Sequence, residues 1–355
     1  MAKSQRPFFF IIKCLGTMTQ TTLYYNGADA VPAFTDAESE LRALLSGCGL
    51  IDLGWRAKIT VSGRDRVRWL NGMVTNTVKD LPLNRGNYSF VLTAQGRIVG
   101  DLYVYNRGEY LLLDTDRSQL EALMTALKRF IIMDQVELKD SSDTLGAIAL
   151  CGPGSEQVLS AAGSDATGLQ PLELRDLVVD DANVTLVRGP EQKPGWYEIW
   201  CDKAAGTTAL LAEKLVKAGA QPVGTEALEW WRIMHGIPRY GQDIRERDLP
   251  QETEQGQAVN FTKGCYIGQE IVERIRSRGQ VHRKFTGFEF RDALPQPGKF
   301  EENGRLLAEI TSVAQIGAQK IGLGYVRRET GSPGSQLNLG ATTATIVELP
   351  FENSN

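Results

Sequence analysis

The stretch YSFVLTAQGRIVGDLYVYNRGEYLLLDTD, Tyr88 to Asp116, constrains the fold more than any other part of the chain. Short apolar runs are separated by Gly-containing turns, AQG and NRGE, which is the signature of consecutive β-hairpins. Hairpin-linked strands run antiparallel. The next segment, SQLEALMTALKRFIIM, carries Leu120, Leu123 and Leu127 on one helical face, with Ser118 as its expected cap. A helix packed on an antiparallel sheet is therefore expected here.

The flanking sequence repeats the theme without repeating the residues. Upstream, AKITVSG reads as a strand, and Val67, Leu70 and Val74 fall at helical spacing. Downstream, DTLGAIALCGPGSEQVLSAAG opens a second sheet-plus-helix block that continues through NVTLVRG, WYEIWCD and a helix closed by Gly219. TEALEWWRIMHG reads as a helix capped by Thr225 and ended by Gly236. After Gly279 only short strands separated by Gly, Pro and Asn turns remain, which points to a small β-barrel. Strands and helices thus mix without the strict βαβ rhythm of a parallel sheet, and the fold class is α+β. At 355 residues the chain exceeds one compact core. The expected division is a tail over 1–20, two interleaved α+β subdomains over 21–280 with a boundary near 145, and the barrel over 281–355.

Charge and chemistry narrow the function classes. A formal net charge of −4 gives no global bias toward stable nucleic-acid binding or anionic membranes. The N-terminal apolar run Phe8 to Ile12 is far shorter than the roughly 20 residues a membrane span needs, and Met18 is a plausible alternative start. Cys14, Cys48, Cys151, Cys201 and Cys265 form no CxxC pair, and His235 and His282 lie far from metal-ligand spacing, so no intrinsic metal site is expected. Unpaired cysteines in a long chain favour a reducing compartment, the cytoplasm.

The sharpest local motif is KGCYIGQE, Lys263 to Glu270. Cys265 sits just before a helix start, where free N–H groups and the helix dipole favour a thiolate, and Lys263 adds positive potential. On spacing alone, the same cysteine reads equally as a small buried hydrophobe. Asp114 and Asp116 flank a strand end and read more readily as solvated loop charges than as ligands, while Trp230 and Trp231 read as core. The basic run Arg274, Arg276, Arg278, Arg283 and Lys284 leaves open a polyglutamate tail, a phosphate backbone or only water as its partner, and such runs are usually solvated faces.

KGCYIGQE resembles the signature of the YgfZ family, folate-binding proteins related to the glycine-cleavage T-protein. The likeness runs from about Cys48 to Phe351 through AQGRIVGDLYVY, IPRYGQDI, LPQE, LGYV and LPF. It implies a T-protein-like fold whose two mixed domains surround a folate pocket beside the C-terminal barrel. It implies tetrahydrofolate or a one-carbon derivative as cofactor, and iron–sulfur enzymes or their assembly factors as partners. By the same likeness Cys265 is functional together with Lys263, framed by Gly264, Tyr266, Gly268, Gln269 and Glu270. Glu198 in GWYEIW matches the T-protein glutamate that holds the pterin ring. Asp101, Arg232 and Tyr240 complete the expected cofactor site. T-proteins carry an aspartate pair where this chain has Gly100-Asp101, and the missing acid argues against aminomethyl transfer. The resemblance therefore implies assistance to iron–sulfur enzymes, including tRNA-modifying ones. The alternatives are a tetrahydrofolate-dependent aminomethyltransferase and a non-catalytic folate-stabilised adaptor.

Overall fold

The computed structural model describes residues 22–203, 206–279 and 281–351. The expected tail over 1–20, with Cys14 and Met18, lies outside the described residues, as does the side chain of Arg278. Seven α-helices are described, and most of the strands fall into three sheets of five or six.

The hairpin region forms one edge and the centre of the first sheet, whose five strands run in the order 86–92, 98–106, 111–116, 56–62 and 137–140, all antiparallel. Alternation sorts its side chains. Leu102, Val104, Leu111 and Leu113 turn to one face and bury against Leu123 and Leu127 of the helix Arg117–Lys128. Asp101, Tyr103 and Tyr105 turn to the other. That helix begins one residue before Ser118, with Asp116 at its N-cap making no side-chain capping bond. The Asp116 carboxylate is taken instead by Arg56.

The second sheet has six strands in the order 174–179, 182–188, 197–202, 145–151, 49–52 and 221–222, with only the last pair parallel. Helices Ser155–Ala161 and Thr207–Lys217 cover one face, where Ile148, Leu150, Tyr197 and Ile199 pack with Leu159, Leu211 and Leu215. On the opposite face, Ala147, Ala149, Trp196 and Trp200 pack with Leu228 and Trp231 of the helix Thr225–Met234. Thr225, expected as the cap of that helix, is its first residue, and Gly224 is the N-cap.

The C-terminal module is a six-stranded antiparallel sheet curled as a half-barrel, with 298–302 and 336–338 at its two edges. Buried charges join it to the body. Arg283 pairs with Asp248, Glu252 and Glu309, and Arg245 and Arg247 also reach Glu309. Among the described residues no helix is long and apolar enough to cross a membrane.

Candidate functional site

The polar face of the first sheet opposes the tryptophan face of the other mixed sheet across a cavity of about 1040 Å³, bordered by the helix Thr225–Met234, the loop after it and inner strands of the C-terminal sheet. Rings supply much of the wall. Tyr105 meets Trp200 edge-on at 5.1 Å, and Trp231 lies 5.7 Å from Trp196 and 4.4 Å from His235. Flat aromatic walls with a few convergent polar groups suit a planar heterocycle.

Glu198 is the fixed acceptor of this wall. Strand alternation puts it on the same face as Trp196 and Trp200, and each carboxylate oxygen takes one indole N–H, at 3.0 and 2.8 Å. Each oxygen keeps lone-pair capacity for a ligand, because an ionised carboxylate accepts at about four sites. Asp101 is held in the same way from the facing sheet. Its oxygens accept from Tyr88 Oη at 2.6 Å and Gln119 Nε2 at 2.8 Å, and it lines the cavity. Burial and the neighbouring Asp101 charge raise the Tyr88 phenol well above its usual value, so that phenol stays a donor.

Gly100 corrects the expectation built on the missing acid. A Cβ at this position would lie 2.8 Å from Gln119 Oε1 and 2.8 Å from Leu123 Cδ2. Its side faces the covering helix, whereas Asp101 faces the cavity. An acid at Gly100 would have stood in the core, so its absence takes nothing from the cavity wall.

The sequence reading missed Arg56 and Lys58 and undervalued Asp114 and Asp116. The register sets Arg56 opposite Asp116 and Lys58 opposite Asp114. The guanidinium spans both carboxylates, and Lys58 reaches Asp114 at 2.6 Å while lying 4.0 Å over the Trp200 ring. Far from being solvated loop charges, Asp114 and Asp116 are 1 % and 8 % exposed. Burial pushes the Asp114 carboxyl up, but Arg56 and Lys58 outweigh it and hold the group below its ordinary value. On Asp116 burial prevails and the carboxyl sits above it. Opposite charges at cross-strand positions were the available signal, but only the pairing of strands 56–62 and 111–116 reveals it.

Two expected ligand residues line the cavity with their polar groups already engaged. All five Arg232 N–H groups are taken, by Glu229, Asp243, Ser312 and the Ile237 carbonyl. Its charge locks the helix to the C-terminal sheet and leaves no donor for a ligand. Tyr240 donates its hydroxyl to the Val99 carbonyl at 2.5 Å and presents its ring. Trp231, read as core, is buried and also lines the cavity.

The KGCYIGQE motif lies outside the cavity wall. Lys263 Nζ donates to the carbonyls of Asn71, Val74 and Asn76 at 2.6–2.7 Å, at the end of the helix Arg66–Met73. All three of its donors serve that helix terminus rather than the thiol. Burial pulls its ammonium down to about 8. Tyr266, expected in the frame of Cys265, is packed with Phe90, Leu92, Ile98 and Val272, its hydroxyl buried without a partner. Gly268 starts the helix Gln269–Arg278 at φ +84, and a Cβ there would lie 2.6 Å from the Thr93 carbonyl oxygen. Gly264 has open space around it and no such constraint. Gln269 and Glu270 form the first turn of the helix, where Glu270 pairs with Arg274. Cys265 is exposed, whereas Cys48, Cys151 and Cys201 are buried. Among the described residues no group of three or more His, Cys, Asp or Glu is placed to hold a metal ion.

Three modules thus surround a ring-lined cavity, with a fixed carboxylate on each of two facing sheets. The family described as "GCVT N-terminal domain" matches residues 11–263, and the chain belongs to it. It is 28% identical over 358 residues to an aminomethyltransferase of Halothermothrix orenii, covering 97% of this chain and 99% of the other. It is 25% identical over 366 residues to an aminomethyltransferase of Bacillus subtilis, covering 97% and 98%. Its fold superposes with a TM-score of 0.86 on the glycine cleavage system aminomethyltransferase T of Bartonella henselae, at 19% identity and covering 98% and 97% of the two chains.

Proposed function

We propose that the protein is a tetrahydrofolate-dependent aminomethyltransferase of the glycine-cleavage type. The observation that carries this reading is the cavity-facing carboxylate of Asp101, held by Tyr88 and Gln119 across from Glu198. The aminomethyltransferase names of relatives matched over nearly the whole chain support it. The residues also fit the cofactor: Glu198 offers two acceptor oxygens to the amino and ring N–H groups of a pterin, and the rings around it offer stacking surfaces. When bound, tetrahydrofolate supplies the nitrogen that takes up a one-carbon unit. The chain's own part would be to orient the pterin through Glu198, exclude water with the aromatic walls, and hold or accept a proton at an Asp101 oxygen.

Turnover of tetrahydrofolate with an aminomethylated carrier protein tests the proposal, the expected result being formation of methylenetetrahydrofolate with release of ammonia. Retained tetrahydrofolate binding with no turnover on any aminomethylated carrier removes the transferase and leaves a folate-binding protein. A second reading, assistance to iron–sulfur enzymes through a reachable thiol, draws on the exposure of Cys265. Its support is confined to that motif, which stands apart from the cavity.

A further inference from the structure

Lys193, the lysine beside Glu198 on the cavity wall, has a side-chain nitrogen that no described acceptor engages. Its neighbours differ in this respect. Arg56 is committed to Asp114 and Asp116, Arg232 to Glu229 and Asp243, and Lys284 pairs with Glu254 at 3.3 Å. Arg239 reaches Asn26 and Gln242. Arg328, which also lacks an ion pair, is exposed at the end of the C-terminal strand Gln319–Arg327. Lys193 lies in the loop between strands Ala182–Arg188 and Tyr197–Asp202, and its Nζ stands 4.6 Å from the centroid of the Trp196 ring. The same indole donates its N–H to Glu198 at 3.0 Å. One ring thus brings an unengaged donor and a fixed pair of acceptors to the same corner.

A pterin presents a complementary edge: two donors, the 2-amino group and N3–H, followed by an acceptor, the 4-oxo oxygen. The Glu198 oxygens answer the two donors. A buried oxo oxygen needs a donor as well, since an unpaired polar group in a closed site is costly. We propose that Lys193 is a specificity-determining residue of the folate site, its Nζ donating to the 4-oxo oxygen of a pterin held by Glu198 and so selecting 4-oxo over 4-amino pteridines. The inference rests on the tetrahydrofolate reading of this cavity. Burial, reinforced by the Arg56 charge, pulls the Lys193 ammonium below its ordinary value. Amine and ammonium both donate to an oxo oxygen, and the ammonium, which has no lone pair, is the form that rejects a 4-amino group. The contact with the Trp196 face is a soft one, and the flexible stem leaves the nitrogen free to turn toward a ligand. A 4-amino pteridine sets N–H groups where the acceptor stood, against a like donor.

The test is calorimetric titration of the full-length protein and of Lys193→Met and Lys193→Arg with tetrahydrofolate and with its 4-amino-4-deoxy analogue. The readout is the affinity ratio of the two ligands within each variant, so a uniform loss of folded protein cancels. Wild type is expected to prefer the 4-oxo ligand. In Lys193→Met the ratio is expected to fall by about tenfold or more, while Lys193→Arg keeps most of it. A wild type that binds tetrahydrofolate, with an unchanged ratio in Lys193→Met, overturns the assignment of Lys193 alone. A wild type that binds neither ligand overturns the folate reading itself, and this proposal with it.

Discussion

Glu198→Gln separates the two tasks of one carboxylate. Glutamine keeps the volume and one acceptor oxygen but turns the other into an N–H donor. In the native chain the two oxygens take Trp196 Nε1–H at 3.0 Å and Trp200 Nε1–H at 2.8 Å. After substitution one indole N–H faces another donor, and a hydrogen bond to a charged acceptor is lost at a cost of about 1.5–3 kcal/mol. That cost falls on the ligand-free protein, where Glu198 is only 8 % exposed. A loss of this size lowers the melting temperature by roughly 2–4 °C in a chain of this length. The pterin loses as well, because one of its two donors now meets an amide N–H, and the affinity for tetrahydrofolate is expected to fall roughly 10- to 100-fold. Calorimetric titration under reducing conditions, paired with a thermal melt of the ligand-free variant, measures both. A folded Glu198→Gln protein that binds tetrahydrofolate within about twofold of wild type would refute the reasoning and take Glu198 out of the site.

Asp101→Asn keeps the bulk and an acceptor for Tyr88 but removes the proton-accepting carboxylate, so turnover is expected to drop by about 100-fold or more with tetrahydrofolate affinity within a few fold of wild type; equal loss of both would make Asp101 a binding group only. Glu309→Gln removes one of the carboxylates shared by Arg245, Arg247 and Arg283 while Asp248 and Glu252 remain, and about 1.5–3 kcal/mol of stability is expected to go at neutral pH. Burial raises the Glu309 carboxyl, but its arginines outweigh that and lower it. Its contribution is therefore complete above the ordinary glutamate value and vanishes as pH falls through the lowered one. Urea unfolding of both proteins should thus show a gap that closes in acid, and a gap independent of pH would count against the ion-pair account. Cys265→Ser is expected to abolish the fastest alkylation among Cys48, Cys151, Cys201 and Cys265, the only exposed thiol of the four, and to leave tetrahydrofolate affinity unchanged; a shift in that affinity would tie the motif to the cavity after all.

Much of the local architecture is legible from neighbouring residues alone. Glycine-containing turns between apolar runs fix the hairpins of the first sheet, because turn geometry and strand alternation are short-range properties. Gly268 marks the start of the helix Gln269–Arg278 and Gly279 its end, both in left-handed conformations that glycine adopts freely. The ends of other helices were less legible. Asp116 rather than Ser118 stands at the N-cap, and with its carboxylate taken by Arg56 it makes no capping bond.

What the sequence could not decide is which face of each strand meets which partner. Gly100 and Asp101 are chain neighbours, yet one packs under the helix Arg117–Lys128 and the other faces into the cavity. Arg56 and Asp116 are 60 residues apart and become a pair only through the register of two strands. Lys263, read beside Cys265, spends its donors on the carbonyls of Asn71, Val74 and Asn76, and the thiol is left outside the cavity. Turn and helix signals act over a few residues and survive in the sequence as patterns. The partner of a charge, and the face a carboxylate turns to, are set by sheets packing across distances along the chain that no local pattern records.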